Sequence, residues 1–316
     1  MNVLVTGGAG YIGSHVVRLL TDKGDRVVSV DDLSTGLTDR LNCESVNMLL
    51  EGDDAPNLLA ELMVDNKIDS VIHFAARKQV GQSVEEPEFY FRSNIGGLAN
   101  LLSAMRTASV KKLVFSSSAA VYGMPDVEQV SETDDTSPIN PYGQTKLIGE
   151  WMIQNAKVWG LSAVSLRYFN VAGAGWPELS DKQALNLIPI VLERISKGQS
   201  VEVFGDDYAT PDGSCIRDYI HVMDLARAHI EALHHLAEPG NAIYNVGTGE
   251  GSSVLEVIDR IKAVSGLNFD VKISKRRAGD PPKLIASNEK ISKDFGWSAE
   301  HGLQQIVESA WQARES

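Results

Sequence analysis

The sequence predicts an α/β fold built on a doubly wound parallel sheet with helices on both faces. Three observations carry this. Short β-branched runs alternate with longer amphipathic stretches, the runs lack a period of two, and a glycine-rich turn directly follows the first of them. Residues 3–6, 26–30, 68–74, 112–117 and 163–169 are the strand candidates; 11–21, 95–107 and 142–157 are the helix candidates. Alternation of this kind is the pattern of βαβ units. Strands covered on both faces read as continuous apolar runs, which explains the missing alternation within each.

After Phe169 the rhythm breaks at Gly173-Ala174-Gly175-Trp176-Pro177, marking the entry to a second, smaller α/β domain. The expected division is 1–172 and 173–316. Residues 216–222 read as a strand feeding a helix over 223–235, and are expected to return to the first sheet, so that the first domain also receives about 215–235.

Acidic side chains number 42 against 29 basic ones in 316 residues, a formal net charge of -13, with 43% apolar residues. This composition supports ordinary cores and speaks against nucleic acid as a partner. The first residues carry neither a basic region nor a long apolar stretch, so no secretion signal is expected. Apolar runs fall short of the roughly 20 residues that span a bilayer, so no membrane partner is expected. Cys43 and Cys215 lack disulfide-framework, metal or redox spacing. Free thiols in the cytoplasm, and no bound metal, are the expectation.

Gly7, Gly8, Gly10 and Gly13 lie between the first strand and the first helix and satisfy G-x-G-x-x-G at 8, 10 and 13. Glycine permits the tight turn and lets backbone approach a pyrophosphate, while the helix N-terminus offers unpaired N–H groups. Asp31 ends the second strand, eighteen residues past Gly13, where a carboxylate accepts ribose hydroxyls and repels a 2′-phosphate. No arginine appears in Asp32-Leu33-Ser34-Thr35-Gly36, so NAD is expected rather than NADP.

Tyr142 and Lys146 are four apart, and Asn140-Pro141 upstream has the form of an N-cap followed by a first-turn proline. Both side chains then share a helical face. A phenol is a poor base at neutral pH unless a neighbouring cation favours the phenolate, which makes the pair a proton shuttle. Ser116-Ser117-Ser118 ends the 112–117 strand, at the edge where ligands gather in such sheets. A serine there can bond both the reacting hydroxyl and Tyr142. Taken alone, a Tyr-Lys spacing also suits a surface pair, and three serines also suit a strand-end loop.

Together, Gly7 to Gly13, Asp31, Ser118, Tyr142 and Lys146 resemble the extended short-chain dehydrogenase/reductase family, whose first domain is Rossmann-like. The resemblance runs through nearly the whole chain: GGAGYIGSH from Gly7, HFAARKQVGQSV from His73, SSSAAVYG from Ser116, NPYGQTK from Asn140, LRYFNVAGA from Leu166, RDYIHVMDLA from Arg217 and YNVGTG from Tyr244. It is finest to the members that interconvert UDP-glucose and UDP-galactose by epimerisation at C4. That resemblance implies tightly bound NAD, a 4-keto sugar intermediate, Tyr142 as base, and hydride return to the opposite face. It implies a homodimer through helices 95–107 and 142–157.

By the same resemblance the cofactor contacts fall on Gly7, Gly10, Tyr11, Ile12, Gly13, Asp31, Asp32, Ser34, Thr35, Gly36, Asp53, Asp54, Phe74, Ala75, Ala76, Lys78, Ser93, Asn94, Ser116, Tyr142, Lys146 and Phe169. Ser93 stands where the family usually carries Asn. The substrate contacts fall on Lys78, Ser118, Tyr142, Asn170, Asn186, Leu187, Val203, Phe204, Arg217, Arg277 and Asp280. Arg217 and Arg277 also make physical sense as forked donors to diphosphate oxygens.

Related enzymes that divert the ketone into dehydration or decarboxylation carry acidic residues just before the VYG segment. Here those places are Ala119 and Ala120, which transfer no proton. A UDP-glucuronate 4-epimerase and a 4-keto-sugar reductase remain the alternatives. Leu284 stands where many epimerases confined to UDP-glucose and UDP-galactose carry a tyrosine, which predicts room for N-acetylated UDP-sugars as further substrates.

Overall fold

The structure, a computed structural model, describes residues 1–236, 240–277 and 279–315. The chain forms two compact units: Met1–Tyr122 with Thr136–Arg167 and Ala226–Tyr244, and Gly123–Asp135 with Tyr168–Leu225 and Asn245–Ser316.

The first unit runs β1 (Asn2–Thr6), α1 (Tyr11–Asp22), β2 (Arg26–Asp31), β3 (Glu44–Asn47), α2 (Ala55–Asp65), β4 (Ser70–His73), α3 (Val80–Glu85), α4 (Pro87–Tyr90), α5 (Gly97–Thr107), β5 (Lys112–Ser118), α6 (Pro141–Ala156) and β6 (Ser162–Tyr168). β1 pairs in parallel with β2 and β4, β2 with β3, and β4 with β5. Val3, Leu4, Val5 and Thr6 are all fully buried, as expected of a strand covered on both faces. The core beneath joins Leu4, Val28 and Val71 of the sheet to Leu59 and Met63 of α2 and to Leu101 and Met105 of α5.

β3, α2, α3 and α4 lie outside the elements expected above, and one expected helix begins differently. β3 is an edge strand of exposed or half-buried residues, Glu-Ser-Val-Asn, without an apolar face. The helix expected from residue 95 begins as a π-helical turn, Phe91–Gly96, that leads into α5.

The second unit contributes β7 (Asn170–Ala172), α7 (Leu187–Ser196), β8 (Val201–Phe204) and β9 (Ile216–His221), after which α8 (Val222–His234) and β10 (Asn241–Val246) carry the chain through the first unit. It resumes with β11 (Gly251–Ser253), α9 (Val254–Ser265), β12 (Val271–Ser274), β13 (Lys283–Leu284), α10 (Glu289–Phe295) and α11 (Leu303–Glu315). Its core packs Ile188, Val191 and Leu192 of α7 with Val257, Ile258 and Ile261 of α9 and with Ile306 and Val307 of α11.

The sheet of the first unit is seven-stranded, in the order β10-β6-β5-β4-β1-β2-β3. The strand at 216–221 does not join it, contrary to the expectation above. β9 pairs instead with β7, β11 and β13 in the second unit. The returning strand is β10. β9 and β10 carry similar apolar content, and only long-range pairing distinguishes them.

Candidate active site

The turn after β1 is shaped by its glycines. Gly7 has φ of +73°, and a Cβ there would lie 2.6 Å from the Ala75 backbone nitrogen. A Cβ on Gly13 would strike the Gly7 carbonyl, whereas one on Gly10 would meet protein only at 3.2 Å. Gly10 is the N-cap of α1 and makes no side-chain cap, so the first turn of the helix directs its N–H groups along the axis toward the space in front of Gly10. This cradle fits a dinucleotide pyrophosphate.

Asp31, at the end of β2, is buried and accepts from the backbone N–H of Ala9 at 3.0 Å and of Leu33 at 2.9 Å. Burial raises its carboxyl above the usual range, and those two N–H donors oppose the rise. A Cβ on Gly36 would sit 2.8 Å from that carboxylate, so the loop 32–36 closes tightly around it. Ser34 and Thr35 are exposed on this loop, and Asp53 and Asp54 are exposed ahead of α2.

Phe74, Ala75 and Ala76 follow β4; the Phe74 and Ala75 N–H groups both donate to the Thr6 carbonyl, which seats the segment beside Gly7. Lys78 is exposed farther along it. Asn94, in the π-helical turn, accepts from Arg77 N–H at 2.7 Å and donates to the Arg77 carbonyl and to Thr145 Oγ1, each at 3.0 Å. Ser93 turns away and donates to Glu51 at 2.7 Å. π-turns recur at functional sites because they re-aim side chains, and this one separates the directions of two adjacent residues.

Asn140 caps α6 by accepting from Gly143 N–H at 2.8 Å, and Pro141 occupies the first turn, as the sequence predicts. A Cβ on Gly143 would lie 2.6 Å from the Ala120 carbonyl. Glycine therefore lets the head of α6 press against the turn that follows β5, which brings Tyr142 beside Ser118. The Ser118 hydroxyl hydrogen-bonds the buried Tyr142 phenol, and burial raises that phenol's pKa while the Ser118 bond lowers it. Lys146 Nζ lies 5.9 Å from the Tyr142 ring centroid and 5.2 Å from that of Phe115, and donates to the Ser116 carbonyl at 2.7 Å. Burial pulls its pKa down to about 7, against the opposing effect of Glu150.

Beneath these residues lie groups that short motifs do not reveal. His73 at the end of β4 is fully enclosed, bonded to Thr6 Oγ1 at 2.6 Å and stacked on Phe115. Burial, then the nearby Lys146 charge, push its pKa down to about 3, so it is neutral. Glu150, one turn beyond Lys146, accepts from Ser117 Oγ and from two nitrogens of Arg167.

In the second unit the sequence-predicted anchors occupy several elements. Phe169 is buried and Asn170 hydrogen-bonds the Tyr219 phenol. Asn186, the exposed N-cap of α7, precedes half-buried Leu187. Arg277 stacks over the Phe204 ring at 3.8 Å, and Arg217 approaches Asp280 at 3.7 Å. Val203 is packed inside the core with its backbone paired to Ile273, so its side chain is committed to packing. Asp218, next to Arg217 and fully buried, accepts from Thr248 N–H, Thr248 Oγ1, Gly249 N–H and Ala286 N–H. Its carboxylate fastens the 247–249 loop to β9, a role the motif RDYIHVMDLA gives no hint of.

The profile of the NAD dependent epimerase/dehydratase family matches residues 3–247. The chain belongs to that family. It is 43% identical to a UDP-glucose 4-epimerase of Corynebacterium glutamicum, covering 98% of this chain and 95% of the relative. It is 46% identical to one of Halalkalibacterium halodurans, with the same coverage. Among solved structures it matches the UDP-glucose 4-epimerase of Stenotrophomonas maltophila, crystallised with NAD and formylated UDP-arabinopyranose. That match has a TM-score of 0.95 at 39% identity and covers 100% of this chain and 98% of that one. Among the described residues no helix is long and apolar enough to cross a membrane, and no cluster of metal-binding side chains occurs.

Proposed function

We propose that this family member interconverts UDP-glucose and UDP-galactose at C4 of the sugar. One observation carries the reading: Ser118, Tyr142 and Lys146 converge at the end of β5, in a unit whose glycine cradle fits NAD, while the neighbouring positions are Ala119 and Ala120. When bound, NAD supplies a reversible hydride acceptor. Tyr142 accepts the C4 hydroxyl proton and later returns it, Ser118 orients phenol and hydroxyl together, and the Lys146 ammonium favours the phenolate. The two alanines add no acid or base, so the 4-keto sugar has no path to elimination and is reduced again from its other face.

Asp31 and the cradle hold the cofactor, with Asn94 rather than Ser93 facing its loop. Arg217 and Arg277 bind the nucleotide diphosphate through their planar donor forks. Phe204 and Asn186 complete that anchoring. Leu284, half-buried and paired in register with Arg217, is smaller than the tyrosine that many epimerases confined to UDP-glucose and UDP-galactose carry there, and on that ground N-acetylated UDP-sugars belong to the proposed substrate range.

We place the enzyme in the cytoplasm, in keeping with the free thiols of Cys43 and Cys215. It is a homodimer whose contact includes α6, where Trp151 is 53% exposed although large aromatics gain most from burial. The test is a panel of UDP-glucose, UDP-galactose and their N-acetyl counterparts with protein-bound NAD measured in the same sample. Conversion of UDP-galactose without added cofactor is expected. A protein purified empty and dependent on NADPH overturns the reading, and sedimentation as a monomer at micromolar concentration overturns the dimer.

A further inference from the structure

Arg77 takes no part in the chemistry above, yet it joins two loops of the cofactor unit. From the segment after β4 its guanidinium donates to Asp32 Oδ2 at 2.8 Å and to Ser34 Oγ at 2.5 Å, both in the loop after β2. Asp32 is itself braced within that loop, accepting from Ser34 N–H at 3.0 Å and Ser34 Oγ at 2.5 Å. The root of Arg77 is equally fixed. Its backbone N–H and carbonyl are both bonded to the buried Asn94 amide, and its guanidinium stands 5.2 Å from the Phe89 ring centroid.

β1 lies between β2 and β4 in the sheet. A side chain that runs from the loop after β4 to the loop after β2 therefore spans the strand edge from which the Gly7 to Gly13 cradle rises. Asp31 and Asp32 also place two carboxylates side by side, and the Arg77 charge acts on both.

We infer that Arg77 is a positioning residue for the adenosine end of the dinucleotide, tying the ribose-binding loop 32–36 to the loop after β4 and setting how firmly the cofactor is retained. The inference rests on the NAD reading above. A loop held in its binding shape before the ligand arrives loses no ordering entropy on association, so the tie slows release. The residue must be arginine because a planar fork serves Asp32 and Ser34 together, whereas an ammonium on a flexible stem does not hold both in one geometry.

The experiment follows NAD release from the purified holoprotein by rapid buffer exchange and quantitation of protein-bound NAD, in wild type, Arg77→Ala, Arg77→Lys and Asp32→Asn. The expected result is release about tenfold faster in Arg77→Ala, an intermediate rate in Arg77→Lys, and an Asp32→Asn rate close to that of Arg77→Ala. With NAD titrated back, the apparent Kd rises by more than kcat falls at saturation. Should Arg77→Ala not fold, Arg77→Lys gives the same reading, since it touches no residue counted among the cofactor contacts. Wild-type release rates in the variants overturn the tie while leaving NAD in place. Wild-type protein that carries no NAD and binds none on titration overturns the cofactor reading itself.

Discussion

Glu150 and Arg167 form a two-point ion pair in the interior of the first unit, at 2.9 Å from Oε1 to Nε and 2.7 Å from Oε2 to Nη2. Their side chains are 3% and 4% exposed. Burial works against the guanidinium charge, but the Glu150 carboxylate outweighs it and the Arg167 pKa is raised. Ser117 Oγ bonds the same carboxylate at 2.5 Å, and Arg167 stacks on Tyr122 at 4.8 Å. The pair thus joins α6, β5 and β6 directly behind Ser118 and Lys146. Removing one member strands the other's charge in a dry interior, which typically costs about 3–5 kcal/mol. Glu150→Ala is expected to lower unfolding stability by that amount in urea titration. The double variant Glu150→Ala with Arg167→Met is expected to recover part of the loss, since no orphan charge remains; a double variant worse than the sum of the singles contradicts this account.

Lys146 carries the opposite burden, a charge held where folding disfavours it. Its pKa is about 7 in the folded protein and near 10.4 in an unfolded chain. Between those values the unfolded state binds more protons, so stability rises with pH through the window, and the full cost of burying the ammonium applies below about pH 7. Lys146→Met removes the cost together with the charge proposed to favour the Tyr142 phenolate. The variant is expected to be inactive yet more stable than wild type at pH 6, with the difference shrinking by about 1.4 kcal/mol per pH unit above about pH 7. Paired denaturant titrations at pH 6 and 9 measure it, and a constant difference refutes it.

The contrast between these groups explains what the sequence reveals. Gly7 to Gly13, Asn140 and the Tyr142-Lys146 spacing are legible because each works within one turn or one helix, where spacing maps directly onto geometry. Arg77 and Asp32 are 45 residues apart, Ser117 and Glu150 are 33 apart, and Asp218 and Ala286 are 68 apart. Their partnerships exist only after strands have been ordered in a sheet. β9 escaped correct placement for the same reason, since its residues state that it is a strand but not which sheet completes it. β3 was invisible because an exposed edge strand needs no apolar face. Ser93 is the reverse case. The sequence marks it as a departure from the family pattern, and the π-turn directs its hydroxyl to Glu51 while Asn94 holds the Arg77 backbone in the loop after β4.

His73 makes the fold acid-sensitive. Held neutral with its pKa pushed down to about 3, it takes up a proton in the unfolded chain near pH 6.5 but not in the folded one. Its contribution is therefore complete above about pH 6.5 and is lost progressively as pH falls toward 3, at about 1.4 kcal/mol per unit. His73→Asn is expected to be less stable than wild type at pH 7, through loss of the Thr6 bond and the Phe115 stacking, but to lose stability less steeply between pH 6 and 4. Urea midpoints across that range read the slopes; equal slopes exclude His73 as the source.

Gly10 and Gly13 separate the cradle's two duties. A Cβ on Gly13 collides with the Gly7 carbonyl and approaches Gly8 Cα at 2.8 Å, so Gly13→Ala must displace the turn itself. Both stability and NAD binding are expected to fall, the former by about 1–3 kcal/mol as for overpacked cores. Gly10 has φ of −75°, which alanine adopts without strain, and the added methyl would lie 3.2 Å from the Gly7 carbonyl oxygen, a tight contact that a shift of a few tenths of an ångström relieves. The methyl projects at the mouth of the helix N-terminus, where a pyrophosphate must come close to backbone N–H groups. Gly10→Ala is therefore expected to unfold within a few degrees of wild type when stripped of cofactor, yet to bind NAD at least tenfold more weakly by calorimetric titration. Equal NAD affinity in Gly10→Ala and wild type would mean that the phosphates sit elsewhere than over the first turn of α1.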